Sequence, residues 1–351
     1  MNLKEIGYNQ YIEAQYNSSV KNGQVLARIS AEYKNIYRAI SKKGEFLAEV
    51  SGKMNYKAAG KGDYPAVGDW VLCKEMDGSS KLIIENIIPR KTKVSRKVAG
   101  KRSEEQIISA NMDYIFIVSG LDEDYNLRRI ERYLTIAWDS GAKAVIILNK
   151  ADLCTKDEIA EKTLAIEKIA YGVNVHVISC KNNDGIKELN KYLEVGKTTA
   201  LLGSSGVGKS TLINIFEGEN KRKTKETRKS DGKGRHTTTN RELIILKDGG
   251  IIIDTPGMRE VQLLNEENGI SSTFSDIETL AKNCKFNDCT HKHEPACAVK
   301  KAIKAGELKE ERLKNYYKMK RELKYQKLKE MKSSGNIEYN KWYEITKNNR
   351  H

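Results

Sequence analysis

The sequence predicts a multidomain α/β protein with three parts. They are a small N-terminal β-barrel, a parallel sheet wrapped by helices, and a helical C-terminal segment around a Cys/His-rich loop. Three observations carry this reading. Residues 23–97 hold five short strand-like runs broken by Gly and charged turns. Residues 107–257 hold apolar runs that each end in a polar or Gly-rich loop, with stretches of helical length between the first four. After residue 265 the strand patterns stop, and three cysteines and two histidines fall within residues 284–297.

Residues 1–22 are polar and read as an N-terminal extension, either poorly ordered or helical, without the apolar stretch of a signal peptide. The five runs that follow are GQVLARIS, NIYRAIS, EFLAEVSG, DWVLCKE and KLIIENIIP. They fit a small barrel of the OB or SH3-like kind, and composition does not separate the two. PAVGDWV reads as a turn entering a strand.

From residue 107 the runs DYIFIVSG, AVIILNK, VHVISCK, TALLGSS and GIIIDTPG predict buried parallel strands. LRRIERYLTIAWDSG and KDEIAEKTLAIEKIAYG predict crossover helices. In such sheets ligands bind at the carboxyl ends of the strands, and the nucleotide motifs fall there. GSSGVGKS, residues 203–210, matches the phosphate-loop pattern between a strand and a helix. Its members Gly203, Ser204, Ser205, Gly206, Val207 and Gly208 turn backbone N–H groups toward phosphate oxygens. Lys209 reaches the β- and γ-phosphates, Ser210 ligates Mg2+, and Thr211 contacts the α-phosphate. In DTPG, Asp254 holds Mg2+ indirectly and the Gly257 N–H approaches the γ-phosphate.

NKAD, made of Asn149, Lys150, Ala151 and Asp152, selects the base. The Asp152 carboxylate accepts from the ring N–H and exocyclic amine that guanine has and adenine lacks. Ser179, Cys180 and Lys181 form the loop that backs the base. HTTT, residues 236–239, supplies a switch threonine among Thr237, Thr238 and Thr239; Thr238 is assigned as the one completing the Mg2+ shell. Met258 follows DTPG, where many GTPases carry a water-orienting Gln. His236 is therefore assigned as the group that orients water, with Lys209 and Thr238 as its catalytic partners.

CKFNDCTHKHEPAC offers Cys284, Cys289 and Cys297 with either His291 or His293. Three thiolates and one imidazole make a closed tetrahedral shell, the signature of structural zinc. The other cysteines are scattered, which argues against a disulfide framework and for a reducing cytoplasm. No run of 18 apolar residues exists, so a membrane span is not expected. The net charge is +15, and it is concentrated. Residues 221–241 hold nine Lys/Arg against Glu226 and Asp231, and residues 300–332 hold thirteen against five Glu. These two segments account for the whole excess and point to a polyanionic partner.

The order NKAD, SCK, GSSGVGKS, HTTT, DTPG is a circular permutation of the usual GTPase order. With GRHTTT, DTPGMRE, NLRRIERYL and CKFNDCTHKHEPACAV, the chain resembles the RsgA (YjeQ) family of ribosome small-subunit GTPases from about residue 23 to 323. The resemblance implies an OB-fold at 23–105, a circularly permuted P-loop GTPase domain at 106–265, and a helical zinc-binding domain at 266–351 that carries a basic helix. It favours His291 over His293 as the fourth zinc ligand. It departs from the usual pattern at Cys180, where Ala is common, and it leaves residues 1–22 unexplained. It implies a monomeric cytoplasmic GTPase, requiring Mg2+ with GTP, that binds the small ribosomal subunit and its rRNA during late assembly and leaves on hydrolysis. A signalling GTPase regulating a protein partner is the alternative, and the two basic segments speak against it.

Overall fold

The structure is a computed structural model, and it describes residues 2–34, 36–76, 81–98, 104–218, 241–254 and 267–333. The N-terminal segment folds as a 3-10 turn, Leu3–Ile6, and helix α1, Gln10–Ser19, capped by the Asn9 side chain. The first strands are β1 (Gln24–Glu32), β2 (Tyr37–Ser41) and β3 (Gly44–Val50). Helix α2 (Gly52–Lys57) precedes β4 (Trp70–Glu75) and β5 (Lys81–Ile87). They pair in the order β1-β2-β3-β5-β4, and a β1–β4 ladder closes the ring. A closed five-stranded barrel with its helix between β3 and β4 is the OB arrangement, which decides between the two barrels composition left open.

Side chains alternate across the β1 pleat. Ala27 and Ile29 point into the barrel with Val71, Leu82 and Ile84. Leu26 points outward, and with Trp70, Leu72 and Ile88 it covers Ile6 and Ile12. The polar-looking extension is thus anchored by two fully buried isoleucines. Arg28, also outward and fully buried, donates to the carbonyls of Ile6 (2.6 Å), Gly68 (3.2 Å) and Asn111 (3.2 Å) and to Thr198 Oγ1 (3.0 Å). One guanidinium therefore joins the extension, the barrel and the strand leading to the phosphate loop.

The remaining strands are β6 (Lys93–Val98), β7 (Glu104–Ala110), β8 (Tyr114–Gly120), β9 (Lys143–Asn149), β10 (Asn174–Val177), β11 (Thr198–Leu202), β12 (Glu242–Ile245) and β13 (Ile251–Asp254). The β6–β7 pair forms its own two-stranded sheet, which was not evident in the sequence. The others run β10-β9-β8-β11-β13-β12, all parallel except β12. An Ala31–Glu242 pairing continues this sheet into the barrel. Read from β11 through β13 and then back to β8, the chain traces an ordinary doubly wound sheet whose start has been moved.

Both faces of the sheet are covered, so its strands are apolar throughout. Ile115, Ile117, Ile146 and Leu148 pack beneath α3 (Leu127–Ser140) and α4 (Lys156–Glu167). Phe116, Val118, Val145 and Ile147 pack against Leu212 and Ile213 of α5 (Lys209–Glu217) and against the 3-10 segment Ile186–Tyr192. Local signals set the helix ends. Asn126 caps α3, and Gly141 ends it at φ 79°. Thr155 and Glu158 form a reciprocal capping box on α4.

The C-terminal part is α6 (Glu267–Thr273), α7 (Ser275–Ala281), the Cys/His loop, α8 (Ala298–Lys304) and α9 (Glu310–Ser333). Arg312, Leu313, Tyr316, Met319 and Leu323 form the buried stripe of α9. Tyr317, beside that stripe, is half-buried, and its hydroxyl donates to the Thr290 carbonyl at 2.7 Å.

Candidate nucleotide and metal sites

The three loops of the expected guanine-nucleotide site meet at the carboxyl ends of β9, β10 and β11. Asn149 closes β9 and is 2% exposed. Its Nδ2 donates to the Val207 carbonyl at 2.7 Å, and its Oδ1 accepts from the Cys180 backbone N–H at 3.0 Å. One amide therefore ties the phosphate loop to the loop of Ser179, Cys180 and Lys181. Gly208 permits this contact: at φ 100°, an added Cβ would lie 2.2 Å from Asn149 Nδ2.

Asp152 stands on the short turn Ala151–Leu153, where one oxygen accepts from Ser179 Oγ at 2.7 Å and the other lies 3.9 Å from Lys181 Nζ. Lys150 is left-handed at φ 69°, and its ammonium pairs with Asp122 at 2.6 Å. Burial alone would raise the Asp122 carboxyl, but the Lys150 ammonium overrides it and holds it below the usual range. Burial pushes the Cys180 thiol up to about 11, so it stays neutral.

The loop at residues 203–208 carries left-handed glycines at Gly206 (φ 81°) and Gly208. Lys209 Nζ donates to the carbonyls of Gly203 (2.7 Å) and Ser204 (2.5 Å). Ser205 and Gly206 lie at the open side of the loop, and Ser210 and Thr211 open α5. Asp254 ends β13, the strand paired with β11, so it stands on the neighbouring strand to the phosphate loop. His236, Thr237, Thr238, Thr239, Gly257 and Met258 lie outside the described residues.

Sequence reasoning missed Asp122, Asp124 and Arg129. The segment DEDYN follows β8 at the sheet's ligand-binding edge, so acidic residues at a strand's carboxyl end were the available signal.

In the C-terminal part the donor atoms of Cys284, Cys289, His291 and Cys297 all lie within 4.8 Å of one another. Cys284 Sγ is 3.8 Å from Cys297 Sγ and 3.6 Å from His291 Nδ1, and Cys297 Sγ is 3.3 Å from the same nitrogen. Metal–sulfur bonds of about 2.3 Å place tetrahedral sulfurs roughly 3.8 Å apart, so these spacings suit a tetrahedral ion. Three thiols this close repel as thiolates unless a cation sits among them. His293 is not in the cluster. Glu294 shapes the loop: its carboxylate accepts from the backbone N–H groups of Thr290 (2.9 Å), Lys292 (2.9 Å) and His293 (3.1 Å). His291 is left-handed at φ 56°, a conformation those bonds help to hold.

The RsgA GTPase family model matches residues 87–264. This chain belongs to the RsgA GTPase family. A relative from Lactiplantibacillus plantarum, small ribosomal subunit biogenesis GTPase RsgA 2, is 46% identical over 93% of this chain and 92% of its own. Among solved structures, YjeQ from Thermotoga maritima matches with a TM-score of 0.63 at 28% identity, covering 86% of this chain and 98% of that one. YloQ, described as a circularly permuted GTPase, shares the fold at a TM-score of 0.59 and 24% identity, over 87% of this chain and 96% of that one. The OB barrel, the permuted sheet and the Cys3His cluster are thus set in a GTPase of this family. Among the described residues no helix is long and apolar enough to cross a membrane.

Proposed function

We propose that this RsgA-family protein is a Mg2+-dependent GTP hydrolase that acts late in small ribosomal subunit assembly, binds that subunit's RNA, and is released on hydrolysis. The observation that carries the reading is the Asn149 amide joining the phosphate loop to the base-backing loop. It holds Asp152 and Lys209 around one space, as a guanine reader and a phosphate holder must be. Ser210, Thr238 and Asp254 would hold Mg2+, which supplies charge neutralisation for the leaving phosphates. Lys209 binds the phosphate oxygens, and His236 orients the attacking water in place of the Gln that Met258 replaces.

Zinc suits the cluster: Cys284, Cys289, His291 and Cys297 form a closed shell with no position left for substrate, so the ion is structural. The ribosomal partner is supported by the names of the relatives and by charge. Lys314, Lys318, Arg321 and Lys324 lie along the exposed side of α9, opposite its buried stripe. We keep the division at residues 23–105, 106–265 and 266–351 as the working domains, with the protein monomeric and cytoplasmic.

Two measurements test this. Purified protein should bind GTP and GDP far more tightly than ATP, and it should sediment with small subunits in the presence of a non-hydrolysable GTP analogue. Equal affinity for ATP, or sedimentation with large subunits alone, contradicts the reading. His236→Ala should keep GTP affinity and docking while subunit-stimulated hydrolysis falls about 100-fold. A parental rate would remove His236 from the chemistry.

A further inference from the structure

Resting on that reading of the nucleotide site, we propose that Asp124 and Arg129 are positioning residues that fix Ser204, and through it the Lys209 ammonium, in the shape that receives a nucleoside diphosphate. Ser204 is gripped at both ends. Its carbonyl accepts from Lys209 Nζ at 2.5 Å. Its hydroxyl donates to an Asp124 oxygen, and the same Oγ accepts from Arg129 Nη1 at 2.9 Å. Arg129 closes the triangle by pairing with the other Asp124 oxygen. A serine in a phosphate loop has no need of its hydroxyl to present a backbone N–H, so this side chain serves a different purpose. It holds the peptide whose carbonyl aims Lys209.

The holders are themselves fixed. The Leu121 N–H donates to the Asn149 carbonyl at 2.9 Å, Lys162 Nζ donates to the Leu121 carbonyl at 2.6 Å, and Tyr125 OH donates to the Lys162 carbonyl at 2.8 Å. Arg129 lies in the first turn of α3, whose other side is clamped to the C-terminal helices. Glu131 pairs with Arg312 at 2.5 Å, Arg132 meets Glu322 at 2.5 and 3.0 Å, and Thr135 meets Thr273 at 2.9 Å. A contact set on rigid elements positions a functional group; the same contact on a loose loop does not. The motif NLRRIERYL thereby acquires a role: its second arginine faces the phosphate loop, while Glu131 and Arg132 face α9.

The test is a double-mutant cycle on GDP affinity, with melting temperature recorded for every variant. Ser204→Ala and Asp124→Ala should each weaken GDP binding about tenfold, the scale of a slightly misplaced binding group. If Asp124 acts through Ser204, the double variant should also be about tenfold weaker rather than about a hundredfold. Asp124→Asn, which keeps an acceptor for the hydroxyl, should recover most of the affinity, and Arg129→Gln should behave like Asp124→Ala. Additive losses, or parental GDP affinity in Ser204→Ala or in folded Arg129→Gln, overturn the proposal. Lys209→Ala separates this from the broader reading. If Lys209→Ala loses GDP while the cycle is additive, only the positioning role fails. If Lys209→Ala binds GDP like the parent, the nucleotide site itself is misassigned.

Discussion

In the proposed guanine site Asp152 and Asn149 would divide the labour of base recognition, and the difference is chemical. Asp152 would offer its carboxylate to two guanine donors, whereas Asn149 spends both ends of its amide on the protein. Asp152→Asn should therefore lower GTP affinity by about two orders of magnitude or more and shift preference toward xanthosine triphosphate, whose 2-oxygen accepts from the new amide. Competition binding with both nucleotides checks this; unchanged GTP preference would remove Asp152 from base reading. Asn149→Ala should weaken all guanine nucleotides without changing base preference, because it frees the phosphate loop and the base-backing loop from each other. The motif residues were legible because each is a fixed chemical type at a fixed strand end. Asp122, Asp124 and Arg129 were not, because an acidic loop and an arginine-rich helix start read as solvated surface until the fold turns them toward Lys150 and Ser204.

Elements defined by periodic burial were equally legible. β1 to β5, β8, β9, α3 and α4 lie where the alternating and helical patterns placed them. The β6–β7 hairpin and β12 escaped notice: their sequences, KVSRKV, EEQIISA and ELII, are short and charged or lie beside charged runs. Nor did periodicity reveal how α3 holds the C-terminal part. Glu131 and Arg312 are 3% and 8% exposed, and Arg312 also pairs with Asp276 at 2.7 Å while donating to the Thr273 carbonyl. Truncating Arg312 leaves the buried Glu131 carboxylate without its cation, whereas truncating Glu131 leaves Arg312 still paired with Asp276, so Arg312→Ala should cost about 3–5 kcal/mol in the unfolding of the C-terminal helices. Chemical unfolding followed by a probe on α9 measures this; a loss below about 1 kcal/mol would mean the pair is solvated.

If the cluster holds zinc as proposed, Cys284→Ser and His291→Ala should each lose it and unfold the loop, while GDP affinity stays near parental. His293→Ala should keep a full equivalent by elemental analysis. Zinc retained in His291→Ala and lost in His293→Ala would exchange the two histidines. The ligand spacing was readable in sequence but left two histidines open; the family resemblance favoured His291, and the fold gathers His291, not His293, with the thiols.

At the scale of the whole molecule, moving the chain start places the base reader before the phosphate loop and leaves the last sheet strand, β13, to lead toward the C-terminal helices. The barrel and the sheet are continuous through Ala31 and Glu242, and the buried Arg28 locks the N-terminal segment between them. Burial pushes that guanidinium down to about 10, well above neutral pH, so it remains charged and depends on its carbonyl partners. The barrel, the sheet and the C-terminal helices are thus joined by specific polar contacts. This assembly should hydrolyse GTP in response to the small ribosomal subunit. GTP turnover should be measured for the protein alone, and with purified small subunits, large subunits or naked ribosomal RNA. Turnover should be slow for the protein alone, rise at least about 100-fold with small subunits, and change little with large subunits or free RNA. Equal stimulation by both subunits, or none by either, would contradict it.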